Sequence, residues 1–233
     1  LAAITTDQMQ ALTTSQIANL SSTQLAKLTT TAVGVMSAAQ VKAIDSAGVA
    51  NLTTDQVKAI RADAMAGLSS AQISQLVATT QVKALTTAQV NALNSAQLQA
   101  LDSAQMSNMT TSQVAAINAL QVKGIDSDDL NSLSAEQIQA FSTAAIGSMS
   151  AADQIAALDG SKIGSLTTAQ ARALTSAQAA AITSAQASSL TSEELSAMGN
   201  VQVASLASEV IDNLSDAAIA GITTGQAKLL TVD

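Results

Sequence analysis

The chain has no His, Cys, Pro, Trp or Tyr, and its one aromatic residue is Phe141. Without His or Cys there is no thiol nucleophile, no Ser-His-Asp triad, no imidazole metal centre and no disulfide. Without aromatics there are no platforms for base stacking and none of the usual anchors of a protein interface. Charge is scarce too. Only 11% of the 233 residues are charged, against about 25% in ordinary domains. Nine Lys and Arg against 17 Asp and Glu leave a formal net charge of -8, the wrong sign for binding a phosphate backbone. There is no apolar run of about 18 residues that would read as a membrane span.

The residues that are present repeat. Leu85-Thr86-Thr87-Ala88-Gln89-Val90-Asn91-Ala92 is followed by Leu93-Asn94-Ser95-Ala96-Gln97-Leu98-Gln99-Ala100, then by Leu101-Asp102-Ser103-Ala104-Gln105-Met106-Ser107-Asn108. The leading apolar residue, or anchor, recurs every eight residues from Ile4 to Leu76, from Leu85 to Met149, and from Leu158 to Leu230. All 29 anchors are Leu, Ile, Met or Phe, and the intervals 76 to 85 and 149 to 158 each carry one extra residue. Repetition over residues 1–233 predicts a single continuous array, and its unfinished ends predict a piece of a longer one.

A period of eight does not fit one long helix. At about 100° per residue the apolar stripe would drift by about 80° each repeat. A coiled coil needs a spacing of 3.5 residues. A calcium-binding β-roll needs Gly-rich nonapeptides, and the chain has ten Gly. The period fits one very short helix per repeat. Ser, Thr, Asp or Asn follows the anchor in 24 of 28 intervals, and a capping-box Gln is present in 19. In that box the first side chain accepts from a helix-start N–H, and the Gln side chain reaches back to the cap. The residue after the Gln position is apolar, as at Met9, Ile17, Leu25, Val90, Ile138 and Ala171, and pairs with the anchor as a hydrophobic staple. Acids fall early (Asp7, Asp55, Asp128, Glu136, Glu193) and bases late (Lys42, Lys58, Lys83, Lys123, Arg172, Lys228), the order a helix dipole favours.

The predicted fold is therefore all-α: a solenoid or superhelix of ultra-short capped helices, one per octapeptide, with anchors and staple partners inside. A β-solenoid is the alternative. Small residues before the anchors predict close helix approach. Counting intervals from Ile4, the Gln is present in 13 of 14 odd ones and 6 of 14 even ones, where Ala32, Gly48, Ala64, Asp129, Ala145 and Lys162 are among the substitutes. That alternation predicts two helices per superhelical layer.

Candidate chemistry dissolves into the repeat. Asp126-Ser127-Asp128-Asp129 reads as a cap with first-turn acids before it reads as a Ca²⁺ site, and Glu193-Glu194 reads the same way. Ser161-Lys162 places Ser beside Lys, with Lys162 taken as solvent-side. Met36, Met109, Met149, Met198 and Phe141 are anchors, hence core. Arg61 is an unusual cap. The sequons at Asn19, Asn51, Asn108 and Asn213 follow from Asn preceding an anchor and a hydroxyl cap. A second hydroxyl (Thr6, Thr14, Thr87, Thr111, Thr168) could form a stripe for a glycan. No catalytic, cofactor or metal residue is predicted, and the chain is not expected to be an enzyme.

The pattern Leu-Thr-Thr-Ala-Gln-Val, with Leu-Thr-Ser-Ala-Gln at Leu174 to Gln178, resembles low-complexity octapeptide arrays of very large bacterial secreted or surface proteins. The resemblance runs over the whole chain and carries no functional residues with it. It implies an extracellular or cell-surface stalk, coat or filament segment. Its partners would be neighbouring repeats of a longer chain or further copies of itself. A binding or adhesion module using the hydroxyl stripe or a groove for a glycan or peptide is the alternative function.

Overall fold

The computed structural model describes residues 4–230. The octapeptide from Thr86 shows how each repeat is made. Thr86 is extended (φ -77, ψ 157), its side chain accepts from the Gln89 N–H, and the helix Thr87–Ala92 follows. Val90 N–H donates back to Thr86 O at 3.0 Å, and Leu93 N–H donates to Val90 O at 3.1 Å. The anchor therefore closes one helix in a tightened last turn, and the next residue, again extended, caps the following helix. No described residue has a positive φ. Helix ends of this kind need no left-handed glycine, which is why so few glycines suffice.

The α-helices are four to six residues long, as in Ser95–Leu98, Ser103–Ser107 and Thr54–Ala59. Helices this short cannot persist alone in water, so their stability comes from packing. Among the described residues there is no strand, which sets the β-solenoid aside. The staple positions Met9, Ile17, Leu25, Val90, Ile138 and Ala171 are buried, as are the anchors Met36, Met109, Met149, Met198 and Phe141. Each fully buried Leu, Ile or Val contributes about 1.5–3 kcal/mol, so two per octapeptide drive the collapse.

The chain forms two compact units, Leu1–Ala116 and Ile117–Asp233. In the first, the helix Thr30–Gly34 packs on Thr54–Ala59, and Ala38–Lys42 packs on Ala62–Met65. In the second, Thr168–Ala173 packs on Ser192–Ala197, and Ser184–Ala187 on Ser208–Asp212. Each such pair is three octapeptides apart. The expectation of two helices per layer is thus corrected, because each unit coils with more than three helices to a turn. Close approach along this coil requires glycine at two positions before anchors. A Cβ on Gly67 would lie 2.6 Å from the Ala38 carbonyl oxygen, and one on Gly221 would lie 2.4 Å from that of Ser192.

The two nine-residue intervals are one-residue insertions absorbed locally. Ala78–Val82 and Ala151–Ile155 are π-helical turns. Val82 N–H reaches Val77 O at 3.1 Å, and Ile155 N–H reaches Ser150 O at 3.0 Å. The extra residue widens a single turn, as a π-bulge does, and the next anchor returns to its place.

Candidate functional site

The most specific polar feature is built by the capping-box glutamines. Gln89 is buried, and its Oε1 accepts from Thr86 N–H at 2.8 Å, closing the box. Its Nε2 donates to Val57 O at 2.7 Å and Ile60 O at 2.6 Å. The oxygen thus caps the start of its own helix. The nitrogen caps the end of a helix four octapeptides earlier. A primary amide has two N–H donors and one carbonyl acceptor, and here all are used.

The arrangement recurs within each unit. In the first, Gln56 binds Leu25 O and Leu28 O at 2.9 and 2.8 Å, and Gln113 binds Val82 O and Leu85 O at 2.7 Å each. In the second, Gln178 binds Ile146 O and Met149 O at 2.8 and 2.9 Å, and Gln226 binds Leu195 O and Met198 O at 2.7 Å each. The spacing between Gln and acceptor is 28 to 32 residues. Since helices three apart pack and helices four apart share these bonds, one turn holds between three and four octapeptides. The π-turn residues keep the bond: Gln81 donates to Val49 O and Leu52 O at 2.9 and 2.6 Å. We call this arrangement the clasp.

Gln8, Gln16 and Gln24 are exposed and make the capping half, each accepting from its cap N–H at 2.8 to 3.0 Å. At the substitute positions the structure corrects the reading of Lys162. It is half-buried rather than solvent-side, and its Nζ donates to Leu133 O, the role a Gln amide plays elsewhere. Ser161 beside it is exposed, so the pair is not assembled as a nucleophile.

The acidic clusters divide in two. Asp126 caps its helix by accepting from Asp129 N–H at 2.9 Å, and Asp128 is exposed. Asp129 is buried at the clasp position. Glu193 is exposed, whereas Glu194 is buried and takes the Gln place in a capping box. Its Oε2 accepts from Thr191 N–H at 2.7 Å and Thr191 Oγ1 at 2.9 Å. Burial pushes the Glu194 carboxyl above the usual carboxylate range, against the lowering effect of the Thr191 bonds. Exposed Glu136 lies below that range, held there by its own backbone N–H and the Ser134 hydroxyl.

The other flagged residues are structural. Arg61 makes no side-chain cap bond and pairs instead with Asp63 at 3.1 Å on the surface. The sequon asparagines cap helix ends: Asn19, Asn51, Asn108 and Asn213 donate through Nδ2 to the carbonyl four residues back at 2.7 to 2.8 Å. Thr14, Thr87, Thr111 and Thr168 are exposed, and Thr6 is partly so. Among the described residues no three acids group as a metal site. No helix among them is long and apolar enough to cross a membrane.

These features define a class, the helical solenoid of octapeptides in which each turn is capped by the next. Two stretches, residues 17–54 and 122–160, match the ALTTAQ repeat family. Together they cover about a third of the chain, and the hexapeptide itself stands at Ala84 to Gln89. The family similarity thus falls on the same repeat that builds the clasp. No curated protein sequence matches the chain.

Proposed function

We propose that this chain is a structural repeat protein, an extended spacer within an extracellular bacterial surface, coat or filament protein, with no catalytic role. The observation that carries the reading is the clasp. The buried amides are committed to neighbouring repeats, so the polar interior serves continuity of the array. The surface location is supported by the resemblance to octapeptide arrays, and the absence of cysteine and the low charge agree with it. Its partners on this reading are neighbouring repeats or further copies. The net negative charge disfavours nucleic acid.

Single-molecule pulling tests the proposal. A spacer held by serial clasps should extend in several small steps as turns peel away. One all-or-none rupture of the whole chain would refute it. A glycan-binding role has one observation in its favour, the exposed hydroxyls of Thr87, Thr111 and Thr168. Binding on a glycan array that disappears on replacing the three by Val would establish it.

A further inference from the structure

Glu194 breaks the pattern of the buried glutamines in one respect. Its Oε1 is a buried side-chain oxygen without a hydrogen-bond partner. Where no insertion intervenes in the second unit, the clasp amide meets the carbonyls 31 and 28 residues earlier, as Gln186 does with Ile155 O and Leu158 O at 2.8 and 2.6 Å. Counted back from Glu194 the same spacing leads to Ile163 and Leu166, and the Leu166 backbone is among the groups that bear on its carboxyl, lowering its pKa against burial. A Gln presents two N–H donors there. A carboxylate presents an acceptor to acceptors in a buried place. A neutral carboxylic acid presents one O–H donor and restores half of what the amide supplies.

We propose that Glu194 makes its clasp a proton-operated one: the neutral acid donates its one O–H to a carbonyl at the end of the helix Gly160–Ile163 and closes the turn, and the carboxylate releases it. The direction follows from linkage. A carboxyl raised above the usual range in the folded chain stabilises while the pH lies below its unfolded value. That stability is lost as the pH rises through the folded value. The charged groups around it have other engagements or lie outside the box. Glu193 on the same helix is exposed and raises the cost of a second charge. Lys162 is given to Leu133 O. Arg172, from the helix Thr168–Ala173, donates to Ala197 O at 3.3 Å. Asp159 stands at the start of Gly160–Ile163, and Asp216 at the start of Asp216–Ile219.

Amide hydrogen exchange on the full chain tests this, read at Ile163 to Leu166 and Thr191 to Met198 from pH 4 to 9 for wild type and Glu194→Gln. The ratio of wild-type to variant protection cancels the intrinsic pH dependence of exchange. It should be highest at pH 4 and fall with rising pH, by up to tenfold for each unit by which the folded pKa exceeds the unfolded one. Glu193→Gln, which removes a neighbouring charge and leaves the Glu194 carboxyl in place, should keep the fall of the ratio with pH and move it slightly towards lower pH. A ratio constant across the range would overturn the proposal. So would a Glu194 carboxyl that titrates by carbon NMR at the ordinary carboxylate value, a measurement that needs no variant.

Discussion

Replacing Gln89 by Ala separates the two halves of the clasp when set beside Gln16→Ala. Gln89 is buried and makes three short bonds, one from Thr86 N–H at 2.8 Å and two to Val57 O and Ile60 O at 2.7 and 2.6 Å, beside a long one to Lys58 O at 3.5 Å. At about 1 kcal/mol net for each, their loss costs about 3 kcal/mol. Ile60 O is left without its amide donor, and the space of the side chain stays unfilled, which can raise the cost to about 5 kcal/mol. Gln16 is exposed and its backbone bond is that from Thr13 N–H at 2.8 Å, so its removal costs about 0.5–1 kcal/mol. The assay is equilibrium denaturation followed by circular dichroism, with hydrogen exchange at Val57 to Arg61 to place the loss, because repeat arrays need not unfold in one step. Gln89→Glu sharpens it: the box oxygen stays, the donors go, and the deficit should shrink in acid. If Gln89→Ala costs no more than Gln16→Ala, the buried amide contributes nothing net and the reasoning fails.

Three further outcomes are expected. Gly67→Ala and Gly221→Ala force a Cβ to within 2.6 and 2.4 Å of a backbone carbonyl oxygen and should each cost about 1–3 kcal/mol. Gly225→Ala meets nothing nearer than 3.6 Å inside a helix and should stabilise by about 0.5–1 kcal/mol; melting curves of the three variants decide. Leu98→Ala removes a fully buried side chain and should cost about 2–5 kcal/mol, whereas Leu120→Ala, at a residue 76% exposed, should stay within about 0.5 kcal/mol by denaturant titration.

The sequence made the repeat unit legible because its signals are local. Cap and Gln stand three residues apart, as do Thr86 and Gln89, and a capping box requires that spacing. Burial of the staple residues follows from the same register over most of the chain, whereas near its end Val210 and Ala218 are buried in place of Ile211 and Ile219. The second half of each Gln could not be read this way. Its carbonyl partners lie 28 to 32 residues away, and in an array of near-identical octapeptides every neighbour looks like an equally good partner. The alternation of Gln suggests pairs, but a two-helix layer would stack helices two apart, whereas packing runs three apart and bonding four apart. Lys162 was misplaced for the same reason: one position serves as capping-box partner and as donor to another turn, and only the first role has a local signature. Glu194 differs from Gln by one group in sequence, and its unpartnered oxygen becomes visible only once the opposing carbonyls are in place.

The clasp also explains how an array of such short helices tolerates irregularity. Each buried Gln of a clasp bridges its own cap and one earlier helix end, so a fault in one octapeptide touches one bridge. At Ala78–Val82 the inserted residue converts a turn to π geometry, yet Gln81 still accepts from Val77 N–H at 2.8 Å and still donates to Val49 O and Leu52 O. At Ala151–Ile155 the same accommodation leaves Gln154 bound to Val122 O and Ile125 O at 2.8 and 2.6 Å. The insertion is confined because backbone register is reset at every clasp, 28 to 32 residues along the chain rather than at the adjacent helix. A helix hairpin array, whose register is passed from each helix to the next, would carry a one-residue slip forward. Here the fixed points are the amides, and the segments between them are free to lengthen by one residue.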